Sequence, residues 1–150
     1  DRYDLILLIP KAAEAARWQT RELAFVRNVL GQVASTYNVD PTRIVAGGQE
    51  AGGTLAFTLA AADRAAIRGV AVVDAGLPGR FPESDPSVRL AFFLARAEKA
   101  RGAGAVKDAA AKLREMKYPV TLKELGREPR SLSAEDLAEL ARWIDALDRI

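Results

Sequence analysis

Gly48-Gln49-Glu50-Ala51-Gly52 is the segment of this chain best placed to do chemistry: it closes an apolar, strand-like run and opens a run of small residues that favour a helix. A Gly-rich turn between strand and helix has three common uses. A phosphate loop needs Gly-Lys followed by Ser or Thr, and none follows. The dinucleotide fingerprint G-x-G-x-x-G does not fit the spacing of Gly47-Gly48-Gln49-Glu50-Ala51-Gly52-Gly53. The nucleophile elbow G-x-S-x-G fits at every position except the nucleophile itself, which is Glu50. In that frame the glycines let strand and helix pack closely around one residue in a strained backbone conformation. Glutamate is a methylene longer than an aspartate nucleophile. Its oxygens would be misplaced by about an ångström or more, an error that is costly for attack. Glu50 therefore reads as a position without a working nucleophile.

The chain contains no histidine and no cysteine. Without imidazole it lacks the usual general base near neutral pH and the commonest metal ligand. Without thiols it has no disulfide or thiolate chemistry, and cysteine usage says nothing of the compartment. The remaining candidates have plain readings. Ser133 is placed to cap a helix that has Glu135 and Asp136 in its first turn. Ser131 has no base beside it, and Lys99 would serve as a base only in a buried Ser-Lys arrangement. No spaced acidic motif points to a metal, so neither metal nor cofactor is expected. Trp18 and Trp143 read as packing residues on helix faces.

The 150 residues are 49% hydrophobic and 28% charged, which suits one globular domain over 1–150. The net charge is only +2, and arginines alternate with acidic residues, so a solvated mixed surface is expected rather than a nucleic-acid footprint. No apolar run approaches the ~20 residues of a membrane span. The chain starts at Asp1 without a signal-like segment and reads as a piece of a longer, soluble polypeptide. Its compartment is unreadable; an exported bacterial protein would fit, with its signal upstream.

Residues 4–9 form a continuous apolar run closed by Pro10, the pattern of a strand buried on both faces. The spacing of Trp18, Glu22, Val26, Val29, Leu30, Val33 and Tyr37 predicts a helix over about 15–37, stopped by Asn38-Val39-Asp40-Pro41. Further strands are expected at 43–46, 69–74, 90–94 and 120–125, the last alternating and so at an edge. Helices are expected at about 54–62 and 105–117 and after Ser133, with residues 76–86 as a surface loop. This alternation predicts an α/β fold: three layers, a mostly parallel sheet, helices on both faces and right-handed crossovers.

Tyr37-Asn-Val-Asp-Pro-Thr-Arg-Ile-Val-Ala-Gly-Gly-Gln-Glu-Ala-Gly-Gly53 resembles the stretch that leads into the elbow of carboxylesterases and polyhydroxyalkanoate-depolymerase-like hydrolases of the α/β-hydrolase superfamily. Met116-Lys-Tyr-Pro-Val-Thr-Leu-Lys-Glu-Leu125 resembles their last strand, and Leu140-Ala-Arg-Trp-Ile-Asp-Ala-Leu147 their last helix. Arg17-Trp18-Gln19 and Asp145-Ala-Leu-Asp-Arg-Ile150 also resemble hydrolase-like domains at the C-terminus of bacterial trypsin-like and PDZ-containing protease proteins. The resemblance implies the later part of an α/β-hydrolase fold without its first strands. Residues 5–9 take the place of the family's fourth strand and 43–46 that of its fifth, and the third belongs between them. The resemblance puts the triad nucleophile on Glu50, the acid on Lys99 (or Glu98 with a one-residue shift) and the histidine on Arg130, in Arg130-Ser-Leu-Ser-Ala-Glu-Asp-Leu137. Lysine cannot orient an imidazolium, and a guanidinium stays protonated and cannot be a base. The Ala51 N–H would supply half of the oxyanion hole, and the other half would come from a loop outside this chain.

The expectation is thus a non-catalytic hydrolase-like module with a structural or recognition role, partnered by the rest of a longer polypeptide or by a second copy. The alternatives are an active hydrolase with a non-standard site on Glu50, Lys99 or Arg130, and a small-ligand-binding domain using the old crevice. Glu50, Lys99 and Arg130 are expected to meet at the C-terminal edge of the sheet as an ion-paired cluster. Residues 5–9 are expected to pair directly with residues 44–45 in a five-stranded sheet. They would remain an apolar edge that favours a dimer or aggregation.

Overall fold

The computed structural model describes residues 4–14 and 17–150. Four of the apolar stretches become strands: β1 (Val45–Gln49), β2 (Gly69–Val73), β3 (Ala91–Arg96) and β4 (Val120–Glu124). They form one parallel sheet in the order β1-β2-β3-β4, with Val45 opposite Gly69, Gly69 opposite Ala91, and Phe92 opposite Val120. Helices α1 (Thr20–Thr36), α2 (Ala51–Ala62), α3 (Ala103–Glu115) and α4 (Ala134–Asp145) flank the strands, only a loop joins β2 to β3, and a short 3-10 turn (Leu147–Arg149) follows α4. This is the α/β architecture expected from the sequence.

Side chains alternate across the sheet and divide the core in two. On one face Val70, Val72, Phe92 and Leu94 pack with Phe57 of α2 and with Val106 and Leu113 of α3. On the other, Phe93, Ala95 and Leu125 pack against Leu140 and Trp143 of α4, the Phe93 and Trp143 ring centroids lying 5.6 Å apart. Both tryptophans are packing residues, Trp18 lying partly buried against the first cluster. Strand β4 is an edge, as its alternation implied.

The loop over residues 76–86 is more than surface covering. Phe81 is buried against Phe57, Phe92 and Tyr118, and the Tyr118 hydroxyl donates to the Pro82 carbonyl at 2.8 Å. One aromatic in a Pro/Gly-rich stretch thus fastens the loop to the core.

The expected strand over residues 5–9 is not formed, so the sheet has four strands rather than five among the described residues. Leu5, Ile6, Leu7 and Ile9 are all more than half exposed. The reason lies in the helix that follows. α1 packs chiefly on α2, through Val26, and is tied there by Arg27 Nε to Asp63 at 3.3 Å. A helix resting on another helix does not return the preceding run to the free edge of β1. The start of α1 is also later than periodicity suggested. A capping box at Gln19 and Glu22 sets it, with the Glu22 carboxylate accepting from the Gln19 N–H at 2.5 Å and the Ala13 N–H at 2.6 Å.

Candidate functional site

The site begins with the turn that feeds β1. Asp40 accepts from the Thr42 N–H (2.9 Å) and hydroxyl (2.6 Å), closing a tight polar turn around Pro41. Arg43 then reaches Asp148 at 3.0 Å, Asp145 at 3.4 Å and Asp40 at 3.5 Å, joining this turn to the end of α4. β1 therefore enters the sheet at a fixed place, and its last residue delivers Glu50.

Glu50 has φ 52° and ψ −117°, a conformation that L residues avoid. Its N–H donates to the Val73 carbonyl of β2 at 3.1 Å, and its carbonyl accepts from the Thr54 N–H, starting α2. The helix begins at Ala51, three residues before the expected Thr54, so Ala51 and Gly52 lie in its first turn. A Cβ on Gly48 would stand 2.3 Å from the Gly52 carbonyl carbon, and one on Gly53 would stand 2.7 Å from both Ala75 Cβ and Val72 Cγ1. Gly52 itself has open space at that position. The close approach rests on Gly48 and Gly53, with Gln49 and Ala51 flanking Glu50 and exposed.

This geometry costs about 1–3 kcal/mol for a non-glycine residue. Glu50→Gly is therefore expected to raise stability, by up to about 2.6 kcal/mol, after about 0.4–1 kcal/mol is lost to the greater freedom of the unfolded chain. A thermal melt checks it, and a fall in Tm would contradict the strain.

Lys99 follows β3 and Arg130 follows β4, so both stand at the same C-terminal edge of the sheet as Glu50. The loops after β3 and β4 are bonded to each other: the Glu98 N–H donates to the Gly126 carbonyl and the Lys99 N–H to the Arg127 carbonyl, each at 2.9 Å. The expected three-member cluster is not built, however. Lys99 Nζ pairs with Glu128 at 2.6 Å, on the surface. Arg130 gives Nη1 to Asp136 at 2.5 Å and Nε to the Leu125 carbonyl at 2.9 Å. Glu50 makes no side-chain ion pair or hydrogen bond among the described residues. Lys99 finds its carboxylate on the neighbouring loop after β4, to which its own loop is bonded, and Arg130 finds its carboxylate in the first turn of the following helix. Ser131 lends only its carbonyl, to Arg130 at 3.0 Å, and Ser133 caps α4 by accepting from the Asp136 N–H at 3.1 Å.

Two roles escaped the sequence reading, the burial and pairing of Asp136 and the whole of Asp74's part. Asp136 is buried beneath Arg130, and its Oδ1 lies 3.5 Å from Lys123, which also pairs with Glu139. The Arg130 guanidinium and the Ser133 N–H hold its carboxyl well below the usual carboxylate range. Asp74 ends β2 with φ 52°, buried, its Oδ1 accepting from the Ala97 N–H at 3.0 Å. A Cβ on Gly102, ahead of α3, would stand 2.2 Å from the Asp74 carbonyl oxygen. Asp74 thus ties the ends of β2 and β3 to the start of α3. The signal for it was a charged residue closing the apolar run Val70-Ala71-Val72-Val73.

Chemically, the edge offers one exposed carboxylate at a strained elbow and two cations already engaged by acids. Two surface grooves, of about 450 and 580 Å³, lie elsewhere, the larger lined by Arg68, Arg89, Leu147 and Ile150; neither is lined by Glu50, Lys99 or Arg130. Among the described residues no three acidic side chains converge as a metal site would need. No described helix is long and apolar enough to cross a membrane.

No family model and no curated protein sequence matches the chain. Solved structures do. SOBER1 of Arabidopsis thaliana superposes with a TM-score of 0.67 at 17% identity, over 85% of this chain and 63% of that one. The Bacillus cereus carboxylesterase gives 0.63 at 18% identity, over 91% and 67%, and a Mesorhizobium loti carboxylesterase 0.64 at 15%, over 90% and 66%. The chain has the α/β-hydrolase fold, and it spans slightly less than two thirds of the length of the SOBER1 structure.

Proposed function

We propose that this chain is a non-catalytic α/β-hydrolase-like module, serving a structural or recognition role within a larger assembly. One observation carries the reading: the elbow keeps its strained geometry and forced glycines while presenting Glu50, in a chain that has no imidazole anywhere. The two cations at the matching loop positions are held by Glu128 and Asp136, so neither is poised to replace a base. An acyl transfer needs a nucleophile, a group to take its proton or steer it, and donors for the oxyanion. In the elbow frame the Ala51 N–H would supply one donor for the last.

The remaining route to activity is attack by the Glu50 carboxylate on an acyl carbonyl. The alcohol would leave, and water would then cleave the mixed anhydride. Over many turnovers in ¹⁸O-water, attack of water on the glutamyl carbonyl would place label in the Glu50 side chain. Mass spectrometry of the Glu50 peptide after incubation with activated esters is expected to show no label. Label in the wild-type peptide would overturn the non-catalytic reading.

A further inference from the structure

At the N-terminal end of the sheet, opposite the elbow, the segments that lead into β2, β3 and β4 frame the groove of about 580 Å³. Arg68 stands directly before β2 and Arg89 two residues before β3, and both line it. The Arg68 backbone is held from both sides. Its N–H donates to the Ile44 carbonyl at 2.8 Å, and its carbonyl accepts from the Ala91 N–H at 3.1 Å. Among the described residues, the Nε atoms of Arg43, Arg64 and Arg68 are buried without a hydrogen-bond partner. Arg43 is nevertheless ion-paired with Asp40, Asp145 and Asp148, and Arg64 donates from Nη2 to the Glu83 carbonyl and the Tyr118 hydroxyl. The Arg68 guanidinium has no such second engagement among the described residues. A buried donor left unpaired is costly, above all a charged one, and folded proteins nearly always satisfy it.

We infer that this groove binds a small carboxylic acid with an apolar body, its carboxylate held by the Arg68 and Arg89 guanidiniums. The lining selects the charge of the ligand. Asp85 and Asp148 stand in the same groove, and both are already engaged: Asp85 accepts from the Ser87 N–H at 2.8 Å and hydroxyl at 2.7 Å, and Asp148 pairs with Arg43 at 3.0 Å. They leave the groove's own two arginines for an incoming anion, yet their charges repel a dianion such as phosphate. A carboxylate brings one charge and two oxygens in the geometry of a guanidinium fork. Arg89 is set for this by its bond from Nη1 to the Ile150 main-chain oxygen at 3.0 Å. Leu90, Pro119 and Leu147 supply apolar lining for the body of the acid. The groove lies at the end of the sheet away from Glu50, so the assignment holds whether or not the elbow is catalytic.

Titration of the ¹⁵N-labelled chain with benzoate and with hexanoate, followed by NMR at the Arg68 Nε–H resonance, tests this. That resonance is expected to move with saturation for at least one of the two acids. Benzyl alcohol should leave it in place, and inorganic phosphate should bind more weakly than the better acid. In Arg68→Gln the dissociation constant, read at the Leu90 amide, should rise about tenfold or more. Arg68→Lys keeps the charge but lacks the Nε donor and the fork, and it should show a loss of the same kind with unchanged circular dichroism. Arg114→Gln, on the exposed side of α3, should bind as wild type does. No saturable shift with either acid would overturn the assignment. So would equal affinity in wild type and Arg68→Lys, or binding of phosphate or benzyl alcohol as tight as that of the acids.

Discussion

Gly48→Ala is expected to destabilise the domain by about 3 kcal/mol or more, lowering Tm by about 6–12 °C, whereas Gly52→Ala, four residues on, should leave Tm unchanged or raise it. The added methyl at 48 would lie 2.3 Å from the Gly52 carbonyl carbon, 2.4 Å from its oxygen and 2.7 Å from the Gly53 nitrogen. All three are backbone atoms at the crossing of β1 and α2, so no side chain can swing aside. The strand end and the helix start would have to part, pulling Phe57 and Ala60, both fully buried, out of register with Val70 and Val72. At Gly52 no atom lies within 4 Å of the added methyl, and the position is helical, where alanine is favoured over glycine by about 0.5–1 kcal/mol. Thermal melts of the two variants decide it. Equal effects would mean that the close approach at the elbow does not hold the sheet and α2 together.

Asp136→Ala is expected to be the most damaging side-chain truncation in the loop between β4 and α4. The Asp136 side chain is 5% exposed, and its carboxylate accepts from Arg130 and from the Ser133 N–H while standing 3.5 Å from Lys123. Removing it leaves two cations and one backbone donor without their shared acceptor, and breaking a buried pair from one side costs more than the pair contributes. Arg130→Ala should cost less, because its guanidinium is 41% exposed and Lys123 still faces the carboxylate. Arg114→Ala, on the exposed side of α3, should cost least. The pH dependence follows from the depressed carboxyl. Its contribution is fully present above the ordinary aspartate range and is lost as pH falls below about 4. Acid unfolding of Asp136→Asn should therefore be shallower than that of wild type. Identical acid profiles, or a Tm for Asp136→Ala no lower than that of Arg114→Ala, would contradict this role.

The legible parts of the fold were those that local chemistry dictates. The run Val70 to Val73 and the run Phe92 to Leu94 could only be buried strands, and both are. The elbow was readable at Gly48, where two backbones approach too closely for a side chain, but the frame's other glycine, Gly52, has open space and the second close approach falls on Gly53. Ser133 with Asp136 three residues on was readable as a cap and is one. Elements that depend on distant partners were not readable. Residues 5–9 look like a strand in any window, but a strand exists only where a neighbour offers its hydrogen bonds, and among the described residues they pair with none. Asp74 is buried because the Ala97 N–H, across the sheet, satisfies it. The resemblance placed Lys99 and Arg130 in loops at the C-terminal edge of the sheet, where they are found, yet they pair with Glu128 and Asp136. Matching loop positions told where the charges sit and not whom they would pair with.

Initial rates on short- and medium-chain p-nitrophenyl esters and thioesters decide whether this hydrolase fold does hydrolase chemistry. Wild type and Glu50→Ala should both match buffer at neutral pH for every substrate. A wild-type rate above buffer that vanishes in Glu50→Ala, with the variant folded by circular dichroism, would contradict it.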